Sequence, residues 1–167
     1  LDLFVSSISA NVPAPGRIGL AYSNPYFDAG GIGGITAQAE VAERIDEYLR
    51  RSSASTADTS VVTNAFSGLT VAVQEGTSAQ FYAEANLKGI KLVLCDSLPA
   101  AFESQNPPID LILGKQPVLA YTVRRVRKDW HLVMLDGGKP LVLTSEQYAV
   151  VTDEESYRLR RFINELL

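Results

Sequence analysis

The stretch 69–94, LTVAVQEGTSAQFYAEANLKGIKLVL, decides the fold class of this chain. Residues 69–73 form an apolar run that is typical of a buried strand, and residues 90–94 form a second one. Between them, residues 76–78 (Gly-Thr-Ser) fit a turn that leads into a helix over 79–87. Two strands joined through a helix predict a βαβ unit, because parallel strands need a crossover connection. The sequence therefore predicts an α/β fold with a parallel sheet.

Further predicted elements lie on both sides of this unit, and a polar stretch of small residues at 52–60 is the best linker candidate. The strand at 18–22 is expected to end at Ser-Asn-Pro (23–25). The predicted strands lie at 1–8, 18–22, 109–113, 132–135 and 148–151. The predicted helices lie around 41–49, 99–104, 117–124 and 157–166.

Composition and charge exclude several classes of function. The chain has 167 residues, is 46% hydrophobic and carries a formal net charge of −4 at pH 7, so no nucleic-acid partner is expected. The single cysteine, Cys95, excludes a disulfide within the chain and a cysteine-rich metal site. No apolar run reaches the roughly 18–20 residues of a membrane helix, and the first residues lack the basic segment of a signal peptide. We expect no metal and no cofactor.

Two motifs that resemble phosphate sites have simpler interpretations. The glycines within 30–34 precede a helix but lack the Lys-Ser/Thr of a P-loop, and Thr36 stands where Gly-x-Gly-x-x-Gly requires its third glycine. A hinge or a close backbone crossing is therefore the favoured interpretation of these glycines. The basic run 124–128, with Trp130 beside it, is interpreted as a solvated helix end, where cations suit the helix dipole.

Cys95 and His131 are the only residues of their types and form the one candidate nucleophile–base pair. Cys95 ends an apolar run, which favours a small buried side chain, and no glycine-rich elbow surrounds either residue. We therefore predict no catalytic residues and no enzymatic activity.

Gly76, Thr77 and Ser78 are the more informative candidate. Hydroxyl groups and backbone N–H groups at the start of a helix can bind an anion without a basic side chain. A plain helix N-cap uses the same residue types, so the motif alone leaves both interpretations open.

Several loose motifs occur in an order that resembles the polar amino-acid-binding family of type II periplasmic solute-binding proteins, which includes the ionotropic glutamate receptor ligand cores. Residues 69–82 are similar to the family's strand that ends in Gly-Thr-Thr/Ser and opens a helix. Residues 109–121, IDLILGKQPVLAY, resemble its Val-Asp-Ala-Val-x-x-Asp-x-Pro-x-x-x-Tyr segment, and residues 22–27, YSNPYF, resemble its Phe-Ser-x-Pro-Tyr/Phe signature. The resemblance covers most of 1–35 and 68–167, and it implies a two-lobed fold that holds a ligand between the lobes.

The resemblance also implies a domain organisation. Residues 1–35 and 140–167 correspond to lobe 1, residues 36–67 to an inserted helix and linker, and residues 68–139 to lobe 2. The lobes are expected to close about crossovers near 30–35 and 139–145. The family's lobe 1 contains elements before the counterpart of Leu1, so lobe 1 is expected to be incomplete in this chain.

The site residues implied by the resemblance depart from the family pattern in charge. The expected ligand-binding residues are Ser7, Ser9, Arg17, Gly76, Thr77, Ser78 and Lys115. Lys115 stands where the family has the aspartate that binds the ligand's α-amino group. A lysine ammonium cannot accept a hydrogen bond from another ammonium and repels it. We therefore expect a small polar ligand with negative charge, with an organic acid as the first type to test.

The implied function is that of an extracytoplasmic solute-binding domain for an ABC transporter or a receptor. Its partners are then a small organic anion or amino-acid-like ligand and a membrane permease or receptor. The implied location is the periplasm or the cell exterior, with a membrane tether in upstream sequence left open. The alternative is the same fold used as a sensor or partner-binding module without a small-molecule ligand.

Overall fold

The computed structural model describes residues 3–5, 19–51, 59–104, 107–135 and 138–167. The strands are β1 (Leu20–Asp28), β2 (Ile32–Thr36), β3 (Thr70–Gln74), β4 (Lys91–Cys95), β5 (Leu111–Lys115), β6 (His131–Leu132), β7 (Met134–Leu135), β8 (Lys139–Pro140) and β9 (Gln147–Asp153). The helices are α1 (Ala39–Arg51), α2 (Thr59–Phe66), α3 (Ser78–Asn86), α4 (Leu98–Glu103), α5 (Gln116–Arg125) and α6 (Tyr157–Leu166).

The chain divides into two compact units. Unit 1 consists of Leu1–Gly30 and Ser145–Leu167, and unit 2 consists of Gly31–Thr144. The chain therefore passes between the units at 30–31 and again at 144–145, within the crossover segments named above. The unit boundary differs from the lobe boundary at residue 35, because β2 belongs to the sheet of unit 2.

Unit 2 is built on a five-stranded sheet in the order β4-β3-β5-β2-β6. Strand β3 pairs in parallel with β4 on one side and with β5 on the other, which confirms the predicted βαβ unit. Strand β2 runs antiparallel to both β5 and β6, so the sheet is mixed rather than purely parallel. The predicted α/β fold class is confirmed.

Within 36–67, the described helices α1 and α2 pack into the core of unit 2. Helix α1 buries Val41, Ile45 and Leu49, which recur on one face, in the same apolar cluster as Val71 of the central strand. Phe66 at the end of α2 is completely buried in that cluster. Burying a side chain of this size contributes roughly 1.5–3 kcal/mol, so these helices are part of what stabilises the unit.

Polar contacts also bind this segment to the sheet. The Arg44 guanidinium on α1 donates to the carbonyl oxygens of Ala65 (3.3 Å) and Ser67 (2.7 Å), just where α2 ends. The linker predicted at 52–60 falls mostly outside the described residues, and Thr59 and Ser60 already belong to α2.

Asp110 organises the amino ends of the parallel strands. Its Oδ2 accepts the backbone N–H of Thr70 at 2.8 Å, and its Oδ1 accepts a hydrogen bond from Gln38 Nε2 at 3.1 Å. Its carbonyl oxygen accepts the hydroxyl of the buried Thr36 at 2.7 Å. The carboxyl ends of the same strands lie at the opposite edge of the sheet.

Unit 1 contains an antiparallel ribbon of β1 and β9 together with α6. The prediction that Ser-Asn-Pro ends the second strand is wrong, since β1 continues to Asp28. The register shifts on both sides of Pro25, which accommodates a residue that has no N–H to give to the ladder. The Ser23 hydroxyl accepts the N–H of Val150 at 3.0 Å and so keeps that buried donor paired.

Only part of the predicted first strand can be compared with the structure. Within 3–5, Phe4 forms a bridge to Val151 of β9, and the rest of 1–8 lies largely outside the described residues.

Candidate functional site

A pocket of about 190 Å³ lies in unit 2 where parallel strands β3 and β5 end and the following helices begin. Gln74 at the end of β3 lines it together with Thr77 and Ser78 at the start of α3. Lys115 at the end of β5 lines it too, as does Leu98 at the start of α4. Ligands of open α/β sheets bind at this edge, because the loops and helix N-termini that follow the strands converge there.

The turn before α3 is held by side-chain hydrogen bonds. Gly76 adopts φ +73°, a conformation that glycine reaches without strain, and its N–H donates to Gln80 Oε1 at 2.7 Å. The Thr77 hydroxyl donates to the carbonyl oxygen of Gln74 at 2.6 Å and makes no cap hydrogen bond to α3. A plain N-cap therefore does not account for Thr77, whose hydroxyl closes the turn at the pocket wall.

Lys115 occupies an unusual place for a cation. It is half-buried, ends β5 and serves as the N-cap residue of α5, without a side-chain cap hydrogen bond. The helix dipole disfavours a cation at a helix N-terminus by about 0.3–1 kcal/mol. An anion in the pocket would be attracted both by the Lys115 ammonium and by the N-terminus of α5.

The backbone around Lys115 is fixed on both sides. Lys115 pairs with Ile32 of β2, and the next residue, Gln116, donates its N–H to the carbonyl oxygen of Gly31 at 2.8 Å. Pro117 then supplies the first-turn conformation of α5. The side chain of Lys115 thus projects from a rigid strand-to-helix junction.

The pocket brings together three of the seven residues expected from the sequence: Thr77, Ser78 and Lys115. Gly76 shapes the adjoining turn, and its N–H is taken by Gln80. Ser7, Ser9 and Arg17 lie outside the described residues. None of the residues that line the pocket, all of them in the described part of unit 2, is acidic.

Sequence reasoning missed the aliphatic part of the lining, which consists of Ala79, Leu98, Leu113, Val118 and Leu119. These residues come from four different elements, so no local pattern connects them. Val118 and Leu119 gave a signal, since they follow Lys115 by three and four residues and so lie at the same end of α5.

The glycine cluster serves close packing of backbone segments. A Cβ at Gly31 would overlap the carbonyl oxygen of Thr144, and one at Gly33 would lie 3.2 Å from the carbonyl oxygen of Leu141. The interpretation as a close backbone crossing is therefore confirmed at these two positions.

The basic run packs in part against one aromatic ring. The Arg127 guanidinium lies 4.6 Å from the ring centre of Phe102 and pairs with Asp129 at 2.7 Å. That hydrogen bond lowers the pKa of Asp129 to about 2. Arg124 and Arg125 are exposed in the last turn of α5, where cations are favoured, so this run has the structural role predicted for it.

Cys95 and His131 are far apart. Cys95 ends β4 and His131 begins β6, and these strands form opposite edges of the sheet. Four strand spacings of about 4.8 Å separate them by roughly 19 Å, so they cannot act as a nucleophile and its base. Burial, with a smaller contribution from Asp96, raises the pKa of the Cys95 thiol and makes a thiolate less accessible.

The variants Cys95→Ser and His131→Ala are expected to leave ligand affinity unchanged within about twofold. Neither side chain lines the pocket, and each lies on a strand edge away from Lys115. Isothermal titration of both variants, with circular dichroism as a control for folding, checks this expectation. A folded variant that has lost binding or turnover would indicate a catalytic role for the residue replaced.

No group of three His, Cys, Asp or Glu side chains is arranged to hold a metal ion within the ranges that the structure describes. The helices in those same ranges are all too short or too polar to cross a bilayer.

The order and geometry of these elements match several solved structures. The arginine-binding protein of T. maritima, in its holo form, superposes with a TM-score of 0.67 at 23% identity. The GluR0 ligand-binding core in complex with L-glutamate gives 0.68 at 22% identity. The substrate-binding protein AbpA of an amino-acid ABC transporter from Streptococcus pneumoniae, bound to L-arginine, gives 0.68 at 17% identity.

The fold is that of the type II solute-binding proteins. The three matches cover 98–99% of this chain but only 60–64% of the solved chains, so the chain spans less than two thirds of their length. They are binding proteins and a receptor ligand core rather than enzymes. No family model and no curated protein matches the sequence.

Proposed function

We propose that this chain recognises a small organic acid that lacks an amino group, as the solute-binding part of an ABC transporter or a receptor. The observation that carries the proposal is the position of Lys115 in a pocket whose lining residues include no carboxylate. An α-ammonium group needs an acceptor of negative charge, whereas a carboxylate needs donors such as an ammonium and hydroxyl groups. The pocket supplies an ammonium in Lys115 and a hydroxyl group in Ser78.

Two of the solved neighbours are bound to amino acids, the GluR0 core to L-glutamate and AbpA to L-arginine. Their fold supports a solute-binding role, and the proposed difference in ligand rests on Lys115. A location in the periplasm or outside the cell and a membrane permease or receptor as partner follow from the same role and are part of the proposal.

Two matched ligand pairs test the proposal. In each pair the carbon skeleton is the same and a keto group replaces the α-ammonium: 2-oxoglutarate against L-glutamate, and 4-methyl-2-oxovalerate against L-leucine. Isothermal titration is expected to show at least one keto acid binding tenfold or more tighter than its amino acid, a difference of about 1.4 kcal/mol.

Tight binding of either amino acid, with its keto acid weaker, would contradict the charge argument. A flat response to all four ligands and to a wider panel of metabolites, from folded protein, would favour the module that binds no small molecule.

A further inference from the structure

We infer that the ligand is a monocarboxylate with a short aliphatic tail rather than a dicarboxylate, an inference that rests on the proposed function. The pocket pairs one cationic side chain with a mainly aliphatic wall. Lys115 is its only charged lining residue within the described part of the chain, and Leu98, Leu113 and Val118 lie around the same cavity.

The aliphatic wall is not fully shielded by the protein itself. Leu113 of β5 and Leu119 of α5 are buried, but Leu98 is half-buried and Val118 is 51% exposed. Covering apolar surface of this kind with an apolar group of the ligand removes it from water and makes the free energy of binding more favourable. A tail of methyl and methylene groups is therefore the complement that this wall favours.

A second carboxylate has no counterpart in the pocket. One ammonium matches one carboxylate, and Thr77 already uses its hydroxyl proton on the carbonyl oxygen of Gln74. A second anionic group placed against Leu98 or Val118 would lose its water without gaining a partner of opposite charge. The lining therefore discriminates against dicarboxylates by leaving one charge unpaired.

The volume of the pocket limits the size of the ligand. An apolar cavity of about 150 Å³ holds a benzene molecule, so about 190 Å³ suits a ligand of roughly six to nine non-hydrogen atoms. Branched acids with five or six carbons and their 2-oxo derivatives fall in this range. The class assigned to the pocket is thus the short aliphatic acids, of which these are examples.

Titration of the intact chain with 4-methyl-2-oxovalerate and 2-oxoglutarate tests this inference. Both are 2-oxo acids, and they differ in whether the tail is an isobutyl group or a second carboxylate. We expect 4-methyl-2-oxovalerate to bind at least tenfold more tightly.

A pair of variants tests the wall itself. Val118→Asn is expected to weaken 4-methyl-2-oxovalerate about fivefold or more while leaving 2-oxoglutarate within twofold. Val126→Asn is the matched control, because Val126 is also an exposed valine, at the C-cap of α5, and does not line the pocket. This variant is expected to change neither affinity.

Binding of 2-oxoglutarate as tight as that of 4-methyl-2-oxovalerate would overturn the aliphatic class and leave the proposed organic-acid function standing. Absence of binding by both acids, while L-leucine or L-glutamate binds, would overturn both. An equal loss of both affinities in Val118→Asn would show that the residue acts on the structure of the site and not on the tail.

Discussion

Lys115→Asp is expected to reduce the affinity for the organic acid by more than a hundredfold. At an effective dielectric constant near 20, two unit charges about 4 Å apart interact by roughly 4 kcal/mol, so reversing one charge changes the interaction by about 8 kcal/mol as an upper bound. Micromolar binding amounts to about −8 kcal/mol in total, and solvent screening leaves a large fraction of the change at a half-buried site. The same variant is expected to admit the matching amino acid, since its carboxylate accepts an ammonium.

Isothermal titration of this variant against each keto acid and its amino acid measures both effects. Lys91→Asp is the matched control, because it makes the same change in net charge at the exposed first residue of β4, at the other end of the strands. If Lys91→Asp weakens binding as much as Lys115→Asp, the effect is one of overall charge and the assignment of Lys115 to the site is wrong.

Gly31→Ala is expected to cost about 4 kcal/mol or more of the free energy of unfolding. The new Cβ would overlap the carbonyl oxygen of Thr144, a backbone atom that cannot move aside as the end of a flexible side chain can. Small folded proteins are stable by only about 5–15 kcal/mol, so this loss is a large share of the total. Since the Gly31 carbonyl also accepts the N–H of Gln116, the variant is expected to displace the neighbouring Lys115 as well.

Thermal unfolding followed by circular dichroism measures the loss, and Gly68→Ala provides its control. Gly68 has φ +80° but open space around its Cα, so alanine there carries only backbone strain of about 1–2 kcal/mol. Equal destabilisation in both variants would mean that backbone strain, and not the crossing of two segments, explains Gly31.

The parts of the fold that depend on local pattern were predictable from the sequence. The apolar runs of β3 and β5 mark strands buried on both faces, and that of β4 marks a partly exposed edge strand. The spacing between these runs requires the crossover helices. The packing of α1 and α2 against this sheet was not predictable, because Val41 and Val71 belong to one apolar cluster that no short stretch of sequence encodes. The extension of β1 past Pro25 depends on register shifts against β9, which are likewise non-local.

The candidate site likewise contains residues that local sequence pattern predicts and residues that it does not. Lys115 and Thr77 could be placed because each stands in a motif of fixed order, at the end of a strand and the start of a helix. The aliphatic wall could not, since Leu98 and Val118 become neighbours of the same cavity only through the order of strands in the sheet. The expected contributions of Ser7, Ser9 and Arg17 stay predictions.

Hydrogen bonds join the two ends of unit 2 and make that unit suitable for transfer into another protein. The Ile32 N–H donates to Thr144 Oγ1 at 3.1 Å, and the Leu143 N–H donates to the Ile32 carbonyl oxygen at 2.8 Å, so both ends of one continuous segment are fastened together. A segment whose ends lie close together can be inserted into a surface loop of another protein without separating the residues on either side of that loop. Residues 31–144 are thus a natural cassette for domain grafting and circular permutation, one that carries its pocket with it.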